Sequence, residues 1–102
     1  MIIVTGAVTM TEATRARMLE ISLEHCQRSR TEPGCLDHRV HEDCERPGRL
    51  LFVEHWADMP ALLAHFAVKA SRDFARELGE LSATPADIHI YSAEDLPFPP
   101  PR

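Results

Sequence analysis

Strand alternation places a histidine, a glutamate and a tryptophan of this sequence on one surface. Residues two apart in a β-strand point to the same side, so Glu54 and Trp56 share a face of the apolar segment that contains them. If the preceding turn is centred near residue 45, His38 lies opposite Phe52 and Leu36 lies opposite Glu54. The histidine, the carboxylate and the indole then line one side of a β-hairpin that runs from residue 34 to residue 56.

These residue types can together transfer a proton to or from a flat substrate. Burial tunes the pKa of a histidine or a carboxylate for acid–base work, and an indole can stack on an aromatic ring. His65 lies in the helix predicted after Trp56 and can reach the same surface. We predict as catalytic residues His38, His65 and Glu54, and as substrate-binding residues Trp56, Phe52, Leu36 and Phe66. The alternative is structural: a buried acid bonded to backbone or arginine, a core indole and a packing histidine.

Metal and thiol chemistry are both disfavoured by the spacing of the residues that would perform them. Among six histidines, His38 and His41 are three apart in a strand and therefore point to opposite faces. Cys26, Cys35 and Cys44 are spaced nine apart, and three cysteines cannot form a complete set of disulfides. We therefore expect no metal site and three free thiols.

Composition excludes several other classes of function. A net charge of −5 with one lysine is unsuited to nucleic acid, which is bound by clustered lysine and arginine. The sequence has no apolar run long enough for a membrane span, no signal-like N-terminal region, no glycine-rich phosphate loop, no G-x-S-x-G elbow and no H-E-x-x-H motif. We expect a cytoplasmic protein with no nucleic acid and no membrane as partners.

Hydrophobic periodicity predicts a strand and a helix in the first third of the chain. The β-branched segment 2–8 predicts a strand, and Thr9 with Glu12 has the form of a capping box that begins a helix. That helix is expected to run to about Arg28. Its predicted buried stripe consists of Ala16, Leu19, Leu23 and Cys26.

The rest of the chain predicts the β-hairpin, two helices and a last strand. Strands are expected at 35–41, 50–56 and 88–91, and a helical stretch at 69–81 follows a shorter helix for which Asp58 is the N-cap. The order βαββαβ is that of a ferredoxin-like α+β fold. We assign residues 1–95 to one domain and residues 96–102 to a proline-rich tail. A domain this small often covers its sheet with a partner subunit.

Several segments of the sequence resemble one known family. Glu-Pro-Gly-Cys-Leu at 32–36, then Glu54, Trp56 and Asp58, and then His65 are similar to the signature of the antibiotic biosynthesis monooxygenase domain family. The resemblance extends over residues 2–93. It implies a ferredoxin-like subunit in a homodimer that forms a dimeric α+β barrel, with a pocket between sheet and helices. Trp56 and His65 match the tryptophan and the helix histidine of that family.

The resemblance implies cofactor-independent monooxygenation of a small polyphenol, quinol or related aromatic compound, with neither metal nor flavin. In that mechanism the substrate anion itself reduces dioxygen, so the protein binds a flat phenol, deprotonates it and excludes water. The family also contains haem-degrading enzymes, whose pocket uses an asparagine, but this chain has no asparagine. The remaining alternatives are a catalytically silent small-molecule-binding or pathway-accessory module and a proton-shuttling isomerase.

Overall fold

Residues 1–102 form four strands and three helices in a computed structural model. The elements are β1 (Ile2–Thr9), α1 (Arg15–Ser29), β2 (Cys35–Glu42), β3 (Arg49–Trp56), α2 (Met59–Ala67), α3 (Lys69–Leu81) and β4 (Asp87–Ser92). The strands form one antiparallel sheet in the order β2-β3-β1-β4, which confirms the predicted ferredoxin-like α+β fold. None of the three helices is long and apolar enough to cross a membrane. Residues 93–102 contain neither helix nor strand.

The helices pack against one face of the sheet, and that inner face supplies the core. Leu50 and Phe52 point inward from β3 into a cluster that includes residues of α1 and α3. A second cluster, at the other end of the same face, consists of Val4, Trp56 and Leu62. Alternation along β3 therefore makes every second side chain a core residue, with Glu54 between Phe52 and Trp56 on the inner face.

The register of the β2–β3 hairpin differs from the predicted one by two residues. His38 lies opposite Glu54, and Val40 lies opposite Phe52. The prediction that His38 lies opposite Phe52 is therefore wrong. Because strand side chains alternate with a period of two, the error leaves His38 on its predicted face. The observed register brings the histidine directly beside the carboxylate.

A β-bulge at the start of β2 removes Leu36 from that face. The register shifts between Cys35 and Asp37, so Leu36 has no partner on β3. Its side chain is 59% exposed. The predicted pairing of Leu36 with Glu54 is wrong because of the two-residue error in the register, and the bulge in addition leaves Leu36 unpaired and exposed.

Helix α1 begins later than the capping box predicted. Thr9 is still part of β1, opposite Arg49, so it does not cap a helix. Residues 11–14 form a turn in which the backbone N–H of Thr11 donates to the Thr14 hydroxyl at 2.9 Å. The helix begins only at Arg15.

The buried stripe of α1 is also different from the predicted one. Leu23 is 52% exposed, and the buried residues are Met18, Ile21, Ser22, His25, Cys26 and Ser29. Three of these six are polar, so apolar periodicity does not identify the stripe. Helix α1 is therefore rotated about its axis relative to the predicted orientation, and this rotation places His25 inside the protein.

Helix α2 is fixed at its start by an aspartate and a glycine. The Asp58 carboxylate accepts the Ala61 N–H at 2.9 Å, which confirms the predicted N-cap. Gly34 has a φ of +80°, and a Cβ there would lie 2.5 Å from the Ala61 Cβ. Only glycine therefore permits the chain before β2 to pass this close to α2.

Candidate active site

A cavity of about 360 Å³ lies between the inner face of the sheet and the three helices. Its walls are mostly apolar, and the aromatic rings among them are Phe52, Phe66 and Phe74. The ionisable side chains on the lining are His25, Glu54, His65 and Arg72. Pockets for small ligands are typically about 300–1,000 Å³ and combine apolar walls with a few polar groups. The cavity has both properties.

His65 lines the cavity from α2 and is held by a carboxylate behind it. Its Nδ1 lies 2.7 Å from Oε1 of Glu32, in the segment between α1 and β2. Because a carboxylate accepts hydrogen bonds, Nδ1 carries the proton and donates it, and Nε2 keeps its lone pair. Both side chains are largely buried, with 4% and 15% of their surface exposed. This pair holds the imidazole in the tautomer that can accept a proton at Nε2.

Glu54 contributes a carboxylate to the same cavity from β3. Its Oε1 accepts the Trp56 Nε1–H at 3.0 Å and lies 3.3 Å from Nε2 of His38. Burial by itself would raise the pKa of Glu54, but the neighbouring His38 ring and the indole N–H outweigh burial and lower that pKa. Glu54 is therefore an ionised acceptor in apolar surroundings.

His25 lines the cavity from α1 as a neutral ring. It stacks on Phe74, with ring centroids 3.8 Å apart and an interplanar angle of 6°. Arg28 donates to its Nδ1 at 2.7 Å, since a guanidinium has no acceptor. Burial, and then the neighbouring His38, His65 and Arg28, lower the pKa of His25 to about 2.

The three rings of His25, His38 and His65 form what we call the histidine cluster. Their centroids are 5.0 Å apart for His25 and His38, 5.2 Å for His25 and His65, and 5.5 Å for His38 and His65. Each ring comes from a different element, α1, β2 or α2, and all three are buried. Nδ1 of His38 has no hydrogen-bond partner, and Nε2 lies 3.3 Å from Oε1 of Glu54 without the geometry of a hydrogen bond, so that contact is electrostatic.

The structure places the residues predicted from sequence in three different settings. On the cavity lining lie Glu54, His65, Phe52 and Phe66. His38 lies behind Glu54 and is fully buried. Trp56 is also fully buried and packs with Val4 and Leu62, so it supports Glu54 and does not present a face to the cavity. Leu36 lies on the surface, away from the other predicted site residues.

Sequence reasoning missed His25, Glu32 and Phe74 as residues of the site. The signal for His25 was the polar stripe that it forms with Ser22 and Ser29 at helical spacing, which a search for apolar residues overlooks. Glu32 belongs to the Glu-Pro-Gly-Cys-Leu segment, but its partner is 33 residues away. No local pattern connects Phe74 with His25, because helix packing brings them together.

Comparison with known proteins gives one family and one curated relative. A family model described as antibiotic biosynthesis monooxygenase matches residues 1–77, the part of the chain that contains every ionisable residue of the cavity. An uncharacterized protein from Synechocystis is 31% identical over 90 residues, which are 88% of this chain and 61% of that protein. This chain therefore spans less than two thirds of the length of that relative.

Solved structures share the fold. A candidate antibiotic biosynthesis monooxygenase from Deinococcus radiodurans is 29% identical, with a TM-score of 0.88 over 93% of this chain and 94% of that one. A second candidate of the same description, from Caulobacter crescentus, is 22% identical, with a TM-score of 0.85 over 92% of this chain and 90% of that one. At the lower identity the likeness concerns the fold alone.

Proposed function

We propose that this chain, which belongs to the antibiotic biosynthesis monooxygenase family, oxygenates a small aromatic compound such as a polyphenol or quinol. The proposal depends on one observation, the cavity in which the carboxylate-held His65 and the ionised Glu54 share a mostly apolar lining. Apolar and aromatic walls favour a flat aromatic ligand. The imidazole of His65 and the carboxylate of Glu54 within those walls favour acid–base chemistry on that ligand.

His65 is the base in this proposal. Its Nε2 takes the proton of a substrate hydroxyl, and Glu32, 2.7 Å from Nδ1, stabilises the imidazolium that forms. Glu54 is ionised and accepts a hydrogen bond from a second hydroxyl, which orients the ring. Arg72 on the lining favours the anion that deprotonation produces. His38 and Trp56 act through Glu54 as positioning residues.

The substrate anion supplies the electrons for dioxygen. The substrate loses two hydrogens and gains one oxygen atom, and the second oxygen atom leaves as water; the two hydrogens come from the CH₂ group of an anthrone, or from the attacked ring carbon and the deprotonated hydroxyl of a phenol. All four electrons that reduce dioxygen come from the substrate, so the reaction balances without an external reductant. The part of the protein is to bind the substrate, remove its proton and keep bulk water away from the intermediate.

Oxygen consumption tests this proposal. Purified protein is assayed with a panel of dihydroxynaphthalenes and anthrones in buffer that contains a metal chelator. We expect the unaltered chain to take up oxygen, and we expect the rate of uptake to fall by about 10²- to 10⁴-fold in His65→Gln. The rate of oxygen uptake by Glu32→Gln should lie between those of the unaltered chain and His65→Gln. The glutamine keeps the His65 ring in place but lacks the charge of the glutamate. His41→Gln is the matched control, because His41 is exposed on β2.

The same panel separates the oxygenase from the two other functions. No oxygen uptake with any substrate, or uptake that survives His65→Gln, would contradict the proposed reaction. A silent binding module predicts that a ligand quenches the fluorescence of Trp56 without turnover. An isomerase predicts that solvent deuterium enters the substrate without oxygen use.

The assembly in the proposal is a homodimer formed through the outer face of the sheet. Leu51 and Val53 are half-buried apolar residues on that face, opposite to the helices. Covering them with a second copy leaves the cavity on the helix side untouched. Sedimentation should therefore give a dimer for the unaltered chain and a monomer for Val53→Glu. Leu63→Glu, at an exposed position of α2, should remain dimeric.

A further inference from the structure

We propose that the histidine cluster of His25, His38 and His65 binds one divalent transition-metal ion of the kind that imidazole ligands prefer, such as Zn²⁺ or Co²⁺. One ligand atom from each ring lies within 4.8 Å of the other two. This departs from the expectation of no metal site, which considered only histidines close in sequence. The site goes beyond the proposed oxygenation, because that reaction does not use a metal.

The positions of the rings match a tetrahedral metal site. With metal–nitrogen distances of about 2.0–2.1 Å, the centroids of three coordinating imidazoles are about 5 Å apart. The three separations in the cluster are 5.0, 5.2 and 5.5 Å. The ligand atoms themselves must approach from within 4.8 Å to about 3.3 Å. Since the ring centres already have these separations, the change that binding requires is chiefly a reorientation of the rings.

His38 is the residue that points most directly to a ligand. Its side chain is fully buried, and neither Nδ1 nor Nε2 has a hydrogen-bond partner. A buried polar group without a partner is rare in folded proteins, and an ion or a water is a common explanation. A metal at Nδ1 would satisfy one nitrogen, and Glu54, 3.3 Å from Nε2, is in place for the other.

Carboxylates lie behind two of the three rings, as they do in many metal sites. Histidine ligands generally donate their second N–H to a carboxylate or a carbonyl, which fixes the tautomer and strengthens the ligand. Glu32 accepts from Nδ1 of His65 at 2.7 Å and leaves Nε2 for the metal. Glu54 lies 3.3 Å from Nε2 of His38 but is not yet hydrogen-bonded to it, so a small turn of the ring is needed before it plays the same part. The pair of Glu32 and His65 thus presents one free lone pair to the cluster already, and His38 can present a second.

Arg28 opposes metal binding at the third ring. It donates to Nδ1 of His25 at 2.7 Å, so the neutral ring carries its proton on Nε2. Binding through Nε2 requires that proton to move to Nδ1 and the guanidinium to turn away. The Ser71 hydroxyl, 3.3 Å from the same Nη2, is an alternative partner. Arg28 therefore lowers the affinity of the site.

The cavity gives the ion a way in and an open coordination position. His25 and His65 are both on its lining, whereas His38 closes the site from behind. Three protein ligands beside a cavity leave a fourth position for water or another small ligand. Metal binding and removal of the substrate proton exclude each other in this arrangement, because a bound ion occupies Nε2 of His65.

Titration with Co²⁺ and Zn²⁺ tests the site without any substrate. The only tryptophan of the chain, Trp56, has its ring centroid 4.6 Å from that of His65. We expect one Co²⁺ per chain to quench its fluorescence and to give the visible absorption of four-coordinate Co²⁺, and we expect Zn²⁺ to reverse both effects. Calorimetry gives the stoichiometry. No binding, or binding that leaves the fluorescence unchanged, overturns the proposal.

Variants with opposite expected effects on metal affinity distinguish the loss of a ligand from simple misfolding. His25→Gln should weaken binding at least 100-fold, and Glu32→Gln about 10- to 100-fold through His65. Arg28→Gln should tighten it about 10-fold, because an amide oxygen can accept from Nδ1 of His25 where the guanidinium cannot. A damaged fold cannot produce that gain. His41→Gln should bind as the unaltered chain does; equal affinity in all variants means surface binding and overturns the proposal.

The outcomes for the metal site and for the oxygenase are independent. If both proposals hold, Zn²⁺ inhibits oxygen uptake, now measured without the chelator, over the concentration range in which it displaces Co²⁺ and removes the Co²⁺ absorption. Metal binding without oxygen uptake supports the site alone. Oxygen uptake without metal binding overturns the site and leaves the oxygenase intact.

Discussion

Replacing Gly34 by alanine should destabilise the fold and loosen the pair of Glu32 and His65. At the φ of +80° that Gly34 adopts, an alanine costs about 1–2 kcal/mol. The added Cβ would lie 2.5 Å from the Ala61 Cβ, so the start of α2 must move, and overpacking of this kind costs about 1–3 kcal/mol. The free energy of unfolding should therefore fall by about 2–5 kcal/mol.

A second substitution separates the backbone effect from the steric one. Ala61→Gly costs up to about 1 kcal/mol by itself, from lower helix propensity. Combined with Gly34→Ala it removes the atom that clashes, so the double variant should be at least as stable as Gly34→Ala alone. The expected coupling energy is about 1–3 kcal/mol. Gly79→Ala is the control, because no atom lies within 4 Å of its added Cβ and the exchange should stabilise α3 by about 0.5–1 kcal/mol.

Urea denaturation, followed by the fluorescence of Trp56, gives the free energy of unfolding of each chain. Effects of Gly34→Ala and Ala61→Gly that add to within about 0.5 kcal/mol would refute the proposed contact. The Hδ1 resonance of His65 reports separately on its hydrogen bond with Glu32. That bond should weaken in Gly34→Ala and recover in the double variant, because α2 carries the histidine.

Thiol reactivity and acid stability give two further predictions. Burial raises the pKa of Cys26 to about 12 and that of Cys35 to about 11, whereas Cys44 is exposed in the hairpin turn. Iodoacetamide at pH 8 should therefore modify Cys44 first, and peptide mass spectrometry showing Cys26 modified in the native protein would contradict this. Arg15 and a backbone N–H lower the pKa of Glu42 from 4.5 to about 2, so its contribution to stability is present above pH 4.5 and lost as the pH falls toward 2. Thermal melts at pH 3 and pH 6 should differ less for Glu42→Gln than for the unaltered chain.

Local signals were sufficient for the type and order of the elements. Alternation in β3 and the cap at Asp58 depend on neighbouring residues, and the structure has both. Where a long-range contact competes with a local signal, the contact prevails. Thr9 has the form of a helix cap, yet pairing with Arg49 keeps it in β1.

Only those residues of the candidate site whose positions follow from strand alternation could be predicted from the sequence. Glu54 and Trp56 share a face at any register, and a shift of two residues in the hairpin leaves His38 on that face as well. The bulge that displaces Leu36 has no counterpart in the alternation of the sequence. The same holds for the rotation of α1 that buries His25, since half of its buried stripe is polar.

The ferredoxin-like order, the family and the inner face of the hairpin follow from the sequence alone, because they depend on periodicity and on a short signature. Which side chains reach the cavity depends instead on how the elements pack. His25, His38 and His65 come from three elements up to 40 residues apart in the chain, and only packing brings their rings to within 5.5 Å. Glu32 likewise becomes a partner of His65 only where Gly34 allows α2 to approach. Proton transfer and metal binding both depend on such distances, which no local pattern encodes.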